Sequence, residues 1–366
     1  MIRPGQVVSL IVAGFALAGG GVWLVSRHGA DSTSDAQTQV LRLRPDELNA
    51  VTRVRISKGD GSHATLQHDG TRWLVTERDY PADTGQVRKL LLDLAGLKTE
   101  EQKTSDPALY AKLGIEDPTG VSATSTGLEI DLSGKTQRLI IGKTSGTLSV
   151  YVRVAGAAQS LLATPQVTAD ADPRHWLDRS LLDISADQVT AIDIKVQGTP
   201  DYSIKRAAAG AASEFVVSPI PKGRKLADSA APASQAAALA ALQLDDVRKA
   251  GTVAATAQAV FQTRDGLSLT LAGIKDRELR YITAAVSATA PDAQGRARDL
   301  NARVAGWEFE VPGYRYDALF RPVEELLVPK KPASSAPAAS PNQSPATAPA
   351  SPTALPFGPK AQGDSH

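Results

Sequence analysis

The chain has 366 residues, and its 40 lysines and arginines almost balance 39 aspartates and glutamates, which leaves a formal net charge of +1. It contains no cysteine, which excludes disulfides, thiolate metal sites, iron–sulfur clusters, cysteine nucleophiles and lipid attachment through cysteine. The balanced charge does not indicate a nucleic-acid-binding protein, whose surface is usually basic. The length is typical of about two domains.

An uncharged apolar segment near the amino terminus, Val7 to Val25, predicts a transmembrane helix. At about 1.5 Å per residue it spans roughly 28 Å, close to the ~30 Å hydrocarbon core of a bilayer. Residues 1–6 would then form a short cytoplasmic leader. The alternative is a cleaved signal peptide, because Ala16-Leu17-Ala18 resembles a cleavage site. Apolar residues resume at Val22, beyond that site, and this favours an uncleaved anchor.

Two polar segments flank the predicted folded part of the chain. Residues 26–45 are mostly small and polar at their start and predict a flexible stalk. Residues 329–366 are rich in proline, alanine and serine and predict a disordered tail, because they cannot bury enough apolar surface to offset their ordering entropy. An anchor of the bacterial type would sit in the inner membrane and place the bulk of the chain outside the cytoplasm.

Short alternating segments predict strands after the stalk. Apolar and polar residues alternate from Val51 to Ile56 and again from Ala64 to His68, as in half-buried strands. Asp69-Gly70 predicts a hairpin turn before a third strand, Trp73 to Val75. Three more strands are predicted further along, at Leu128–Leu132, Arg138–Ile141 and Leu148–Val152.

One amphipathic helix interrupts these strands. Asp83 predicts its N-cap, and Gly96 lies near its expected end. The apolar residues between them fall on one helical face. They are Val87, Leu90, Leu91, Leu94 and Ala95, and Leu97, just beyond Gly96, is a further candidate for this face.

The same order of patterns recurs about 140 residues later. Val189–Val196 resembles the opening strand, and Glu214–Val217 resembles the strand at Trp73. Leu239, Leu242 and Leu244 predict a second apolar helix face. Asp265–Leu271 resembles Thr126–Leu132, and Trp176 and Trp307 close the two units. The sequence therefore predicts an α+β fold of two related units, 46–185 and 186–328, each a mainly antiparallel sheet with packed helices and with a possible binding groove between them.

The sequence contains no familiar catalytic motif in complete form. Gly134-Lys135-Thr136 and Gly142-Lys143-Thr144 resemble the end of a P-loop, but each lacks the glycine five residues earlier, so both predict turns. His63 and His68 would lie on opposite faces of a strand, which disfavours a shared metal ion. His175 is interpreted as a loop residue beside a packed tryptophan.

Acidic pairs follow the two predicted helices, at Glu100-Glu101 and at Asp245-Asp246, and are interpreted as solvated loop charges. The sequence therefore predicts no catalytic residue, no cofactor and no metal.

Two segments have alternative interpretations. Tyr110 to Pro118 predicts a helix that stops at Gly114 and leads into a strand, or else a partner contact. The aromatic run from Trp307 to Phe320 predicts either core packing or an exposed partner surface.

Several of these motifs together resemble the domain-of-unknown-function family DUF4340. They are Trp73-Leu-Val, Tyr80-Pro-Ala-Asp83, Val87-Arg-Lys-Leu-Leu, Tyr110 to Pro118, Ile140-Ile141-Gly142, Tyr151-Val152 and Trp176 with Leu181-Leu182. The resemblance is best from Val51 to Val196 and implies an extracytoplasmic auxiliary protein, of the kind associated with gliding-motility-type ABC transporter components. Family-motif or partner-contact positions are expected at Trp73, Tyr80, Tyr110, Gly114, Glu116, Asp117, Pro118, Trp176, Trp307, Tyr314 and Tyr316.

The functional expectation is a non-catalytic, membrane-anchored protein that binds a protein partner of an ABC-type transport or cell-envelope complex and no nucleic acid. Two alternatives remain open. One is an enzyme that acts on envelope polymers, and the other is a module that binds a small solute between the two units.

Overall fold

A computed structural model describes residues 38–208 and 214–329 of the chain. Its first sheet has nine strands, all paired antiparallel, in the order β4-β3-β2-β1-β6-β7-β8-β9-β5. The strands are β1 Val51–Lys58, β2 His63–His68, β3 Trp73–Val75, β4 Tyr80–Pro81, β5 Lys98–Gln102, β6 Thr126–Leu132, β7 Lys135–Ser145, β8 Ser149–Val154 and β9 Ser160–Thr164.

The second large sheet has eight antiparallel strands in the order β13-β12-β11-β16-β17-β18-β19-β15. A small two-stranded sheet pairs β10, which follows the first sheet along the chain, with β14, which lies between β13 and β15 of the second. These strands are β10 Ser180–Leu182, β11 Val189–Val196, β12 Tyr202–Arg206, β13 Phe215–Ser218, β14 Leu242–Gln243, β15 Asp246–Lys249, β16 Ala257–Thr263, β17 Leu267–Asp276, β18 Leu279–Ala288 and β19 Trp307–Glu310. The fold is therefore α+β with antiparallel sheets.

The two large sheets share one pattern of strand pairing. Val54 pairs with Leu66 in the first sheet, and Ile192 pairs with Ile204, each 138 residues later, in the second. The register also shifts at the start of the first strand in both sheets, next to Val51 and next to Val189. Because a bulge is a specific local geometry, its presence at the equivalent position of both sheets supports a structural relation between them.

Strand pairing corrects the sequence alignment of the two halves. The predicted correspondence of Asp265–Leu271 with Thr126–Leu132 is wrong. Residues from Leu267 onward lie in β17, which has the position of β7 in its sheet, whereas the strand in the position of β6 is β16. Trp307 lies on β19, in the place of β9, whereas Trp176 follows β9, so the two tryptophans are not equivalent. Short alternating strands resemble one another, and only their pairing partners identify them.

Helices cover parts of both sheets. They are α1 Thr84–Ala95, α2 Tyr110–Leu113, α3 Ala231–Ala236, α4 Gln294–Val304, α5 Gly313–Leu319 and α6 Val323–Leu326, and the 3-10 turns are Pro45–Ala50, Pro107–Leu109, Pro173–Trp176, Ala237–Leu239 and Pro291–Ala293. The predicted N-cap of α1 is confirmed, because the Asp83 carboxylate accepts hydrogen bonds from the amides of Gly85 and Gln86. Gly96 ends this helix, as expected.

The second predicted helix is wrong in detail. Leu239 ends a 3-10 turn, and Leu242 lies in β14, where it pairs with Leu182. Ala241 between them has a φ of 46°, in the left-handed region that cannot continue a helix. The helix α4 was not predicted, because only Ala297 and Val304 of its residues are buried and its apolar periodicity is weak.

The amino-terminal predictions lie mostly outside the described residues. These are the leader 1–6, the span Val7 to Val25 and the first part of the stalk. The end of the stalk is folded, because Leu41 and Leu43 are buried in the core. Within the described ranges no helix is long and apolar enough to cross a bilayer. The tail beyond Pro329 also lies outside them.

One hydrophobic cluster runs through both halves of the body. It includes two tyrosines whose pKa is raised to about 12, Tyr80 and Tyr202, in each case because burial disfavours the phenolate. The Tyr202 hydroxyl donates to the carbonyl of Arg321 at 2.7 Å.

These tyrosines predict a loss of stability in alkali. Below a pH of about 10 both states keep the phenol proton, so these groups add no pH dependence. Above it the unfolded chain ionises while the folded chain does not, and the free energy of unfolding falls by about 1.4 kcal/mol per pH unit for each tyrosine until the pH passes about 12. Denaturant unfolding between pH 10 and 12 should show that the free energy of unfolding falls less steeply with pH in Tyr80→Phe/Tyr202→Phe than in the unmodified protein. An unchanged slope would contradict the assignment, and the exposed Tyr314→Phe is the control.

Candidate functional site

A groove lies between the turn that follows β3 in the first half and strand β15 in the second. Its volume is about 440 Å³. Segments far apart in the sequence line it, and we call it the inter-half groove. The lining residues are Thr76, Glu77, Arg78, Asp79, Asp246, Val247, Arg248, Lys249 and Tyr281.

The base of the groove contains a two-pronged ion pair between the halves. Arg78 donates from Nε to Oδ1 of Asp246 at 2.6 Å and from Nη2 to Oδ2 at 2.8 Å. The side chains are only 28% and 18% exposed. The hydrogen bonds that Arg78 donates to Asp246 raise the pKa of Arg78 above its ordinary value. Parallel donation of this kind is geometrically specific, so it sets the position of the β3–β4 turn against β15.

A second ion pair lies at the rim. Lys249 Nζ is 2.9 Å from Oδ2 of Asp79, and both side chains are mostly exposed. The same ammonium lies 3.6 Å from the centre of the Trp307 ring. An exposed pair contributes at most about 1 kcal/mol, so these charges can exchange partners at little cost.

Arg248 carries a denser set of contacts in the second half. Its guanidinium carbon lies 3.7 Å from the centre of the Tyr281 ring. It donates to Glu308 at 2.7 Å and to Asp276 at 3.0 Å. Glu308 is 1% exposed, and its other oxygen accepts from the amide of Gly251 at 2.7 Å.

Aromatic side chains from both halves meet near these ion pairs. The Tyr80 ring packs edge-on against Trp307, with centroids 5.2 Å apart, and against Phe309 at 6.1 Å. The structure thus brings together two of the positions singled out in the sequence, Tyr80 and Trp307, across the junction of the halves.

The carboxylates around the groove are used in ion pairs. Asp79, Asp246, Asp276 and Glu308 each have a lysine or arginine partner within 3.0 Å. In the described part of the chain, no three histidine, aspartate or glutamate side chains are placed to hold a metal ion.

The acidic pairs interpreted as solvated loop charges are corrected here. Asp245 pairs with Arg179, and Asp246 pairs with Arg78, so both join the halves. Glu100 and Glu101 lie in β5 rather than in a loop, and Glu100 accepts from the Ser149 hydroxyl. The sequence gives no sign of the contact between Arg78 and Asp246, because 168 residues separate them.

The segment from Tyr110 to Pro118 forms a separate structure in the first half. Its expected helix stop is confirmed, because Gly114 has a φ of 67° and caps α2. The buried Arg153 donates to the Ile115 carbonyl at 3.0 Å and to Asp117 at 3.0 Å, and it lies 4.6 Å from the centre of the Tyr110 ring.

The backbone of this segment passes close to Gly142, which lies in a strand and not in the predicted turn. Gly142 lies within β7, where a Cβ would sit 2.4 Å from the Leu113 carbonyl oxygen and 2.6 Å from Cγ2 of Ile115. Only glycine leaves room for the backbone here. Nearby, the Glu116 carboxylate accepts from the amide of Thr124 at 2.6 Å.

The remaining singled-out residues are dispersed. Trp73 lies on β3 against His68, with ring centroids 5.1 Å apart. Trp176 is buried and donates to the Asp170 carbonyl, and the His175 ring packs edge-on against it. In α5, Tyr316 is buried, whereas Tyr314 is 69% exposed. Pro118 is partly buried and packs over Gly127. These residues do not form one site.

The chain is thus an α+β protein with two large antiparallel sheets and a charged groove between its two halves. The model for the family described as "Domain of unknown function (DUF4340)" matches residues 73–262, more than half of the chain. The chain belongs to the DUF4340 family. The match runs from β3 through β16 and so includes both halves. No curated protein matches the chain, and no solved structure does.

Proposed function

We propose that this DUF4340 protein is a non-catalytic, membrane-anchored subunit that holds a protein partner outside the cytoplasm. It would act as an accessory or scaffold of an ABC-type transport or cell-envelope complex, with the partner seated in the inter-half groove. The observation that carries the proposal is the groove itself, in which charged side chains from both halves converge.

The chemistry of the groove suits a protein surface. Arginine and tyrosine are enriched among the residues that dominate binding energy at interfaces, and the groove offers Arg78, Arg248 and Tyr281. Its partly buried ion pair holds the two walls in place, while the exposed Lys249 and Asp79 remain able to pair with charges on a partner.

Location outside the cytoplasm is supported by the sequence. The uncharged segment Val7 to Val25 is long enough for a span, and the chain has no cysteine. All of the described body follows that segment and would lie on one side of the bilayer.

Cross-linking in intact membranes tests this proposal. A photoreactive amino acid at Thr76, which is exposed and lines the groove, is expected to capture one defined permease, ATPase-associated or envelope protein. The control position is Val121, 85% exposed and outside the groove, which is expected to capture none reproducibly. Equal products from both positions, or none from Thr76, would contradict the groove as a docking site.

A charge reversal sharpens the same test. Lys249→Glu is expected to reduce the cross-link from Thr76 severalfold, because it places like charges at the rim beside Asp79. Lys195→Glu is the matched control, since Lys195 is 63% exposed against 61% for Lys249 and also has one aspartate partner. A groove-dependent thermal shift with a small envelope solute, without any protein cross-link, would favour the solute-binding alternative instead.

A further inference from the structure

A second cavity lies in the first half and shares no lining residue with the inter-half groove. Its volume is about 560 Å³. It opens between helix α1, the β2–β3 hairpin and the 3-10 turn Pro45–Ala50, through which the chain enters the folded body. The lining residues are Pro45, Leu48, Asn49, Val51, His68, Thr71, Arg72, Trp73, Thr84, Arg88, Leu91 and Leu92.

The polar part of this lining is basic. It contains two arginines, a histidine, an amide and two hydroxyls, and no lining residue is acidic. Arg88 forms no ion pair with any residue in the described part of the chain. Arg72 contacts Asp69 through Nε only, at 3.4 Å, which leaves its two terminal nitrogens free of that carboxylate.

The nearby carboxylate is already satisfied. Asp69 accepts from the amides of Thr71 and Arg72, both at 2.9 Å, and from the Thr71 hydroxyl at 2.8 Å. These hydrogen bonds hold the pKa of Asp69 well below its ordinary value, so it stays ionised and bound to its own turn. The guanidinium groups of Arg72 and Arg88 therefore remain available to an anion, for which arginine offers two parallel donors.

The rest of the wall is apolar. Trp73 forms one side with its ring, and Leu48 and Leu91 are partly buried or buried beside it. Leu92, also in the lining, is 45% exposed and extends the apolar wall towards solvent. A ligand that satisfies both parts must carry an anionic group and an apolar group on one small molecule.

We propose that this cavity binds an anionic amphiphile. Its phosphate or carboxylate would contact Arg72 and Arg88, and its apolar portion would lie against Trp73, Leu48 and Leu92. The bilayer would supply such a ligand as a lipid, and a free headgroup, which lacks the apolar portion, is the competing outcome of the test.

Calorimetry on the full chain in a nonionic detergent tests this directly. Short-chain phosphatidylglycerol is expected to bind, whereas the zwitterionic short-chain phosphatidylcholine and free glycerol phosphate bind at least about tenfold more weakly. Equal binding of phosphatidylcholine would overturn the role of the arginines. Equal binding of glycerol phosphate would overturn the amphiphile, and absence of binding by all three would overturn the site.

Variants locate the binding. Arg72→Gln/Arg88→Gln is expected to weaken phosphatidylglycerol binding at least about tenfold without changing the unfolding temperature, because both side chains are exposed. Arg264→Gln is the matched control, an exposed arginine outside the cavity that forms no ion pair within the described residues. Equal loss in both variants would place the binding elsewhere on the surface. Thr76 cross-linking should be unaffected by the double variant, so this site and the inter-half groove can fail independently.

Discussion

Arg153→Ala is expected to lower the free energy of unfolding by about 3–5 kcal/mol. Arg153 is 4% exposed and donates to the carbonyls of Ile115 and Ala157 and to the carboxylate of Asp117. Truncation leaves two carbonyls without this donor, removes the contact with the Tyr110 ring and opens a cavity beneath the family motif.

The neighbouring Asp117 provides the matched control. Its side chain is 66% exposed, so Asp117→Ala is expected to cost less than about 1 kcal/mol. Denaturant unfolding of the full chain in a nonionic detergent measures both. If Arg153→Ala cost no more than Asp117→Ala, the segment from Tyr110 to Pro118 would not depend on this buried arginine. Cross-linking from Thr76 is expected to survive in any fraction of the Arg153 variant that folds, since the motif lies outside the inter-half groove.

Glu308→Ala is expected to cost about 3 kcal/mol, the second large effect. Glu308 is 1% exposed and accepts from both Arg248 and the Gly251 amide. Its removal leaves that amide without this acceptor and takes from Arg248 the more buried of its two carboxylate partners. Because Arg248 lines the inter-half groove, the same variant is also expected to reduce partner cross-linking.

Asp276 accepts from the same guanidinium and separates burial from charge. Its side chain is 38% exposed, and Asp276→Ala is expected to cost under about 1 kcal/mol. Unfolding by denaturant compares the two variants under one condition. Equal losses of unfolding free energy in the two variants would mean that the buried hydrogen bonds of Glu308 stabilise the protein no more than the more exposed contact of Asp276.

Arg153 and Glu308 stabilise two different regions of the chain. The family motif around Arg153 holds α2 against β7, as the space left by Gly142 requires. Partner contact at the positions singled out in the sequence stays a prediction. Tyr80 and Trp307 are the ones that lie at the junction of the halves.

Local features of the fold could be predicted from the sequence. The strand at Val51, the N-cap at Asp83 and the left-handed Gly114 each depend on residues within a few positions of one another, so a short stretch of sequence contains the relevant physics. The helix expected at Leu239 failed because the apolar spacing of three leucines suits several backbone paths, and pairing with β10 selected an extended one at Leu242.

The α+β class, the recurrence of one strand pattern and the family motifs could all be recognised from the residues alone. The correspondence of strands between the halves, the contact of Asp246 with Arg78 and the basic and apolar cavity beside α1 appear only in the folded chain. The difference lies in how far along the chain each interaction reaches. Capping and periodicity act between near neighbours, whereas strand pairing and desolvated ion pairs join residues whose separation along the chain leaves no local trace.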